Sequence, residues 1–66
     1  MNIQINGDSK QVDDNLTAAK LVETLGLQGR RIAMEVNREI LPRSHYESYQ
    51  LKENDNVEII HAVGGG

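Results

Sequence analysis

The chain has no cysteine, no phenylalanine, no tryptophan and a single proline. Without cysteine there is neither a disulfide nor a thiolate metal site. The two histidines, His45 and His61, lie too far apart in sequence to act as a local ligand pair, so no metal site is expected. With no Phe or Trp the core must be aliphatic, and Leu, Ile and Val supply 17 of the 66 residues. That share clears the roughly 20% floor below which chains tend to stay disordered. No apolar run approaches the ~20 residues that span a bilayer. The opening Met1-Asn2-Ile3-Gln4-Ile5 lacks the basic and apolar regions of a signal peptide. There is no G-x-G-x-x-G, no Walker loop and no H-E-x-x-H. Basic charge is also short: ten acids against seven bases give a net charge of −3, the wrong sign for a general nucleic-acid binder. A chain of 66 residues can hardly both build a core and wall off a deep pocket. The expectation is one small, soluble, acidic, cytoplasmic domain covering residues 1–66, with no cofactor, membrane or nucleic-acid partner. In any reaction it is a substrate, carrier or partner and not the enzyme.

Period-2 alternation of Ile3 and Ile5 with Asn2, Gln4 and Asn6 reads as a half-buried strand. Asn6-Gly7-Asp8 is a tight-turn signal leading to a short second strand at Lys10-Gln11-Val12. Thr17 to Leu25 reads as a helix, because Ala18, Leu21, Val22 and Leu25 recur at i, i+3, i+4 and i+7. Thr17 is its N-cap, Leu16 and Leu21 fit a hydrophobic staple, and Gly26 ends it with Leu27 folding back on Val22. Ile32 to Val36 is a third strand with Ile32, Met34 and Val36 on one face and Ala33 and Glu35 on the other. Asn37-Arg38 turns the chain into a short return strand, Glu39-Ile40-Leu41, which Pro42 stops. Ser44 to Ser48 reads as one helical turn, Tyr49-Gln50-Leu51 as a brief edge strand, and Asn54-Asp55-Asn56 as a turn. Val57 to Val63, rich in β-branched residues, is the last strand. One amphipathic helix over one small mixed sheet is an α+β arrangement, closed only if the first and last strands lie side by side.

Directly after that strand come Gly64-Gly65-Gly66. Composition alone points first to a flexible end or a linker. No serine or tag sequence follows, however, and the glycines join a core strand with no loop between. Such a tail has no side chains, passes through channels that any Cβ would obstruct, and reaches about 10 Å when extended. Its carboxylate is a poor electrophile until a partner transfers AMP to it, after which a sulfur or amine nucleophile can attack the acyl carbon.

Ile3-Gln4-Ile5-Asn6-Gly7, Leu16-Thr17 with Leu21 and Leu25, and Val36-Asn37-Arg38-Glu39-Ile40-Leu41-Pro42-Arg43 carry a resemblance. So do Asn54-Asp55-Asn56-Val57-Glu58-Ile59-Ile60 and Val63-Gly64-Gly65-Gly66. Over its whole length the chain resembles the sulfur carrier proteins of thiamine biosynthesis, a ubiquitin-like β-grasp family. It departs where many members have Asp-Gly-Asp, carrying Glu53-Asn54-Asp55 in that turn. The resemblance implies a four- to five-stranded mixed sheet on one helix. It also implies a cycle: an ATP-dependent activating enzyme adenylates the Gly66 carboxylate, a sulfur donor protein replaces the AMP to leave a thiocarboxylate, and thiazole synthase takes up the sulfur. Three rival readings stay open: a carrier for another pathway, such as the small subunit of molybdopterin synthase, a ubiquitin-like protein modifier, and a plain interaction module whose glycines do nothing.

Alternation in the last strand turns Val57, Ile59 and Val63 toward the core and Glu58, Ile60 and Ala62 outward, with Ala33 and Glu35 beside them. Ile60, Ala62 and Val63 are the candidate partner-binding residues, Ile60 first. His61, in the core phase, reads as a packed or edge histidine and not a catalytic one. His45, Arg30, Arg31 and Arg43 read as loop residues, and Tyr46 and Tyr49 as cover for the open end of the core. Glu35, Glu39 and Glu58 are candidates for cross-strand ion pairs of little energetic weight.

Overall fold

A computed structural model describes residues 1–61. Strands β1 (Asn2–Ile5) and β2 (Asp8–Gln11) form a hairpin, followed by helix α1 (Ala18–Thr24). A second hairpin pairs β3 (Ile32–Val36) with β4 (Glu39–Leu41), a 3-10 turn covers Arg43–His45, and β5 (Asn56–His61) comes last. The five strands run in the order β2-β1-β5-β3-β4, so the final strand is the middle one. It lies parallel to β1 and antiparallel to β3. This is the α+β β-grasp arrangement expected above.

The hydrophobic pattern explains the layering. Ile3, Leu21, Met34 and Val57 are fully buried, one from the helix and the rest from three adjacent strands. Burial of each such side chain contributes about 1.5–3 kcal/mol. The helix needs this tertiary support because seven residues are too few to hold a helix in water. Its ends are nevertheless well specified. Thr17 Oγ1 accepts from Lys20 N–H at 3.1 Å. Gly26, at φ 72°, takes the left-handed position, and the Leu27 and Gly26 amides donate to the Val22 and Glu23 carbonyls at 2.9 and 3.0 Å. That pair of bonds is a Schellman motif. Thr17 and Leu25 are therefore caps, so the helix is one residue shorter at each end than its stripe suggested.

The segment after β4 differs most from expectation. Tyr49-Gln50-Leu51 is not a strand: Gln50 makes one isolated bridge to Thr17. The carbonyls of Tyr49 and Tyr46 are taken instead by the Ala18 and Ala19 amides, at 3.0 and 2.9 Å. The first turn of a helix has amides with no internal partner, and this segment supplies their acceptors. Tyr46 and Leu51 are buried as a result and Tyr49 packs against the core, so the two tyrosines do cover it. The expected helical turn at Ser44–Ser48 is the 3-10 turn Arg43–His45 continued by a turn over 46–48. The second strand starts at Asp8, earlier than Lys10, and ends at Gln11.

Candidate functional site

The site of interest is the C-terminal end of β5. The expected strand Val57–Val63 is seen as Asn56–His61. Ala62, Val63, Gly64, Gly65 and Gly66 lie outside the described residues. At its start β5 is held from both sides. Gln4 and Ile5 pair with Asn56 and Val57 on one edge, and Val36 pairs with Val57 on the other. Beyond Val57 the β1 register stops, while β3 continues to pair as far as His61, opposite Ile32.

Register decides what each face shows. Val57 and Ile59 are buried on the helix side. On the outer face Ile60 stands opposite Ala33, Glu58 opposite Glu35, and Glu35 opposite Ile40. Ile60 is 48% exposed and Ile40 73%, the two exposed large hydrophobic residues among those described. The outward phase expected for Ile60, Glu58 and Ala33 is the phase observed. Ile40 escaped the sequence reading, although a two-residue turn at Asn37-Arg38 already implies it: pairing Val36 with Glu39 sets Glu35 against Ile40.

The ion pairs expected of Glu35, Glu39 and Glu58 do not form. The ion pairs among the described residues are Met1–Asp14 and Lys20–Glu23. Glu35 and Glu58 face each other directly, a like-charge arrangement that opposes folding slightly. This face therefore combines exposed aliphatics with acid that the chain does not neutralise.

On the helix side His61 is exposed, not packed. It borders a groove of about 420 Å³ floored by Ile5, Leu25, Leu27 and Ile59, with Lys10 on the rim. Among the described residues no nucleophile or carboxylate is hydrogen-bonded to its side chain, and no cluster of His, Cys, Asp or Glu is placed to hold a metal. Among those residues, too, no helix is long and apolar enough to cross a membrane. Arg43 is less free than a solvated loop charge, donating from Nη2 to the Arg30 carbonyl at 3.1 Å.

Two side-chain interactions at β5 had no signal in local sequence. Asn6 Oδ1 accepts from the Ile59 amide at 2.8 Å. At the other end of the strand Asn37 Oδ1 accepts from the Asn56 amide at 2.9 Å, and its Nδ2 donates to the buried Asp55 at 3.0 Å.

Comparison with known proteins adds to this geometry. The model of the ThiS family matches residues 3–66. The sulfur carrier protein ThiS of Bacillus subtilis is 35% identical over 65 residues, covering 97% of this chain and 98% of that protein. A thiazole synthase of Paramagnetospirillum magneticum is 35% identical over all 66 residues of this chain, which correspond to 20% of that protein. The chain thus spans about a fifth of the length of the thiazole synthases it matches. Among solved structures, the crystal structure of the thiamine biosynthesis protein ThiS from Geobacter metallireducens superposes with a TM-score of 0.86. It is 32% identical, and both chains are covered in full.

Proposed function

The chain belongs to the ThiS family, and on that footing we propose that it is a sulfur carrier of thiamine biosynthesis working through a C-terminal thiocarboxylate on Gly66. The observation that carries this reading is the sequence Val63-Gly64-Gly65-Gly66 one residue beyond the end of β5, the middle strand of the sheet. A glycine tail rooted in the most enclosed strand gives its carboxylate a short reach from a fixed base. The family match over residues 3–66 supports a single domain that includes the tail.

The chemistry follows from the group at the end. A carboxylate oxygen of Gly66 attacks the α-phosphorus of ATP in the activating enzyme and expels pyrophosphate. The terminal sulfur of a donor persulfide then attacks the acyl carbon and expels AMP. A second thiol of the donor cleaves the resulting S–S bond, leaving a disulfide on the donor and the thiocarboxylate on this chain. Thiazole synthase is the proposed acceptor, a reading supported by the match of the whole chain to a fifth of proteins that bear that name. Catalytic groups belong to those partners, so the chain is a cytoplasmic carrier and not an enzyme. Ile60, with Ala62 and Val63, forms the docking surface for the activating enzyme, supported by the exposure of Ile60 and Ile40 on one face.

Intact mass after incubation with the activating enzyme, ATP and a persulfide donor tests the reading. Exchange of one oxygen for sulfur is the expected result. A ladder of conjugates instead indicates a protein modifier, and an unchanged mass removes the carrier assignment. Ile60→Asp is expected to weaken binding of the activating enzyme with no loss of thermal stability, measured by calorimetry on both properties.

A further inference from the structure

The geometry assigns Asn6 a second task beyond its turn: we propose that its side chain is the positioning group that holds the tail-bearing end of β5. In a parallel ladder residue i donates to j−1 and accepts from j+1. Here the Gln4 amide donates to the Asp55 carbonyl and the Asn6 amide to the Val57 carbonyl, both at 2.9 Å. Continued by one step, that pattern assigns the Ile59 amide to the backbone carbonyl of residue 6. Asn6, however, has turned into the left-handed region at φ 51° to begin the hairpin, and β1 has ended at Ile5. Its side-chain oxygen takes the place of the missing carbonyl, accepting from Ile59 at 2.8 Å.

The turn itself does not require this. Gly7 beside it, at φ 88°, meets nothing within 4 Å at its missing Cβ, and glycine at position 6 satisfies the same backbone. What asparagine adds is an acceptor aimed at β5 two residues past the last β1 pairing. The bond fixes Ile59 from the side on which β3 gives no help, directly before the residues that lead to Gly66. A strand end held on both edges is a fixed base, so less ordering is left for a partner that engages this end of β5.

This role rests on the sulfur-carrier reading, and the test separates the two. Asn6→Gly keeps the turn and deletes the acceptor, while Asn6→Asp keeps both, because a carboxylate oxygen accepts the same bond. Hydrogen exchange should quicken at the Ile59 amide about fivefold in Asn6→Gly, the factor for one lost hydrogen bond, with Ile3 unaffected. With the activating enzyme, ATP and pyrophosphate release as the readout, the KM for this chain should rise by about the same factor and kcat should hold, since the bound tail reaches the same geometry. Asn6→Asp should restore both. Unchanged exchange at Ile59, an unchanged KM for Asn6→Gly, or a failure of Asn6→Asp to rescue it overturns the proposal. No pyrophosphate release from the wild type overturns the carrier reading, and the positioning role with it.

Discussion

The two hairpins that flank β5 are built on the same plan and do different things. Each turns on an asparagine with positive φ, Asn6 at 51° and Asn37 at 53°, and each aims that side chain at a β5 amide. They differ in what stands behind the asparagine. Asn37 binds the Asn56 amide, donates its own backbone N–H to the Asn56 carbonyl at 2.8 Å, and reaches Asp55 as well. Asp55 is only 6% exposed, and its other oxygen accepts from the Lys52 amide at 2.8 Å. Asn6 likewise donates its backbone N–H to the Val57 carbonyl at 2.9 Å, but its side chain makes a single bond with no buried carboxylate behind it. The root of β5 is thus fixed by a cross-braced polar cluster, while on the β1 side its tip has one side-chain contact and on the other side the β3 pairing. The side-chain bracing of β5 is concentrated at its base.

The largest way to disturb this contrast is to remove the core beneath both ends. Leu21→Ala, at a fully buried helix position, should cost about 2–5 kcal/mol in denaturant unfolding and loosen root and tip alike. Asp55→Ala should come next, at about 2–4 kcal/mol, because it leaves the Lys52 amide and Asn37 Nδ2 without acceptors. Amide exchange should then quicken at Asn56 more than at Ile59. Arg38→Gly makes the second turn Asn-Gly like the first. Arg38 sits at φ 71°, so this change should stabilise by up to about 1 kcal/mol, read as a raised thermal midpoint.

The smallest effect concerns the far end of the Asn6 hairpin. There the Met1 ammonium donates to Asp14 at 2.9 Å and to the Val12 carbonyl at 2.7 Å. The hydrogen bond with Asp14, aided by nearby acidic charge and opposed by desolvation, raises the ammonium pKa above its ordinary 8.0. The same bond, with the ammonium charge, lowers Asp14 below its ordinary 3.8. A raised ammonium stabilises below its unfolded pKa and loses that contribution as pH climbs through the folded one. A lowered carboxylate stabilises above its unfolded pKa and loses it as pH falls through the folded one. The small difference in thermal midpoint between wild type and Asp14→Asn should therefore be present near neutrality and vanish in strong acid and in strong base.

Much of this fold was legible because its signals are local. Thr17, the Ala18-Leu21-Val22 stripe and Gly26 specify one helix from within ten residues, and Ile32-Met34-Val36 reveals its buried face by alternation alone. The exposed aliphatic face was half legible: strand phase exposes Ile60, while Ile40 emerges only once the turn register is applied. The polar braces were not legible. Asn37 and Asp55 look like ordinary turn residues, and their bond joins positions 18 apart. Periodicity carries no information at that range. Tyr49-Gln50-Leu51 misled for a related reason: its composition suits a strand, yet the helix amides claimed the Tyr49 carbonyl. Glu35, Glu39 and Glu58 were expected to find cations, and register set two of them against each other.

The position of β5 has a further consequence, for the order of synthesis. The strand at the centre of the sheet is made after the other four described strands, and without it β2-β1 and β3-β4 are two hairpins with no shared edge. A nascent chain stopped short of residue 56 has nothing to join them. Its helix has no complete sheet to cover, and exposed edges of that kind invite aggregation and degradation. Folding is therefore a check on chain length: a body that has closed around β5 holds every residue as far as His61.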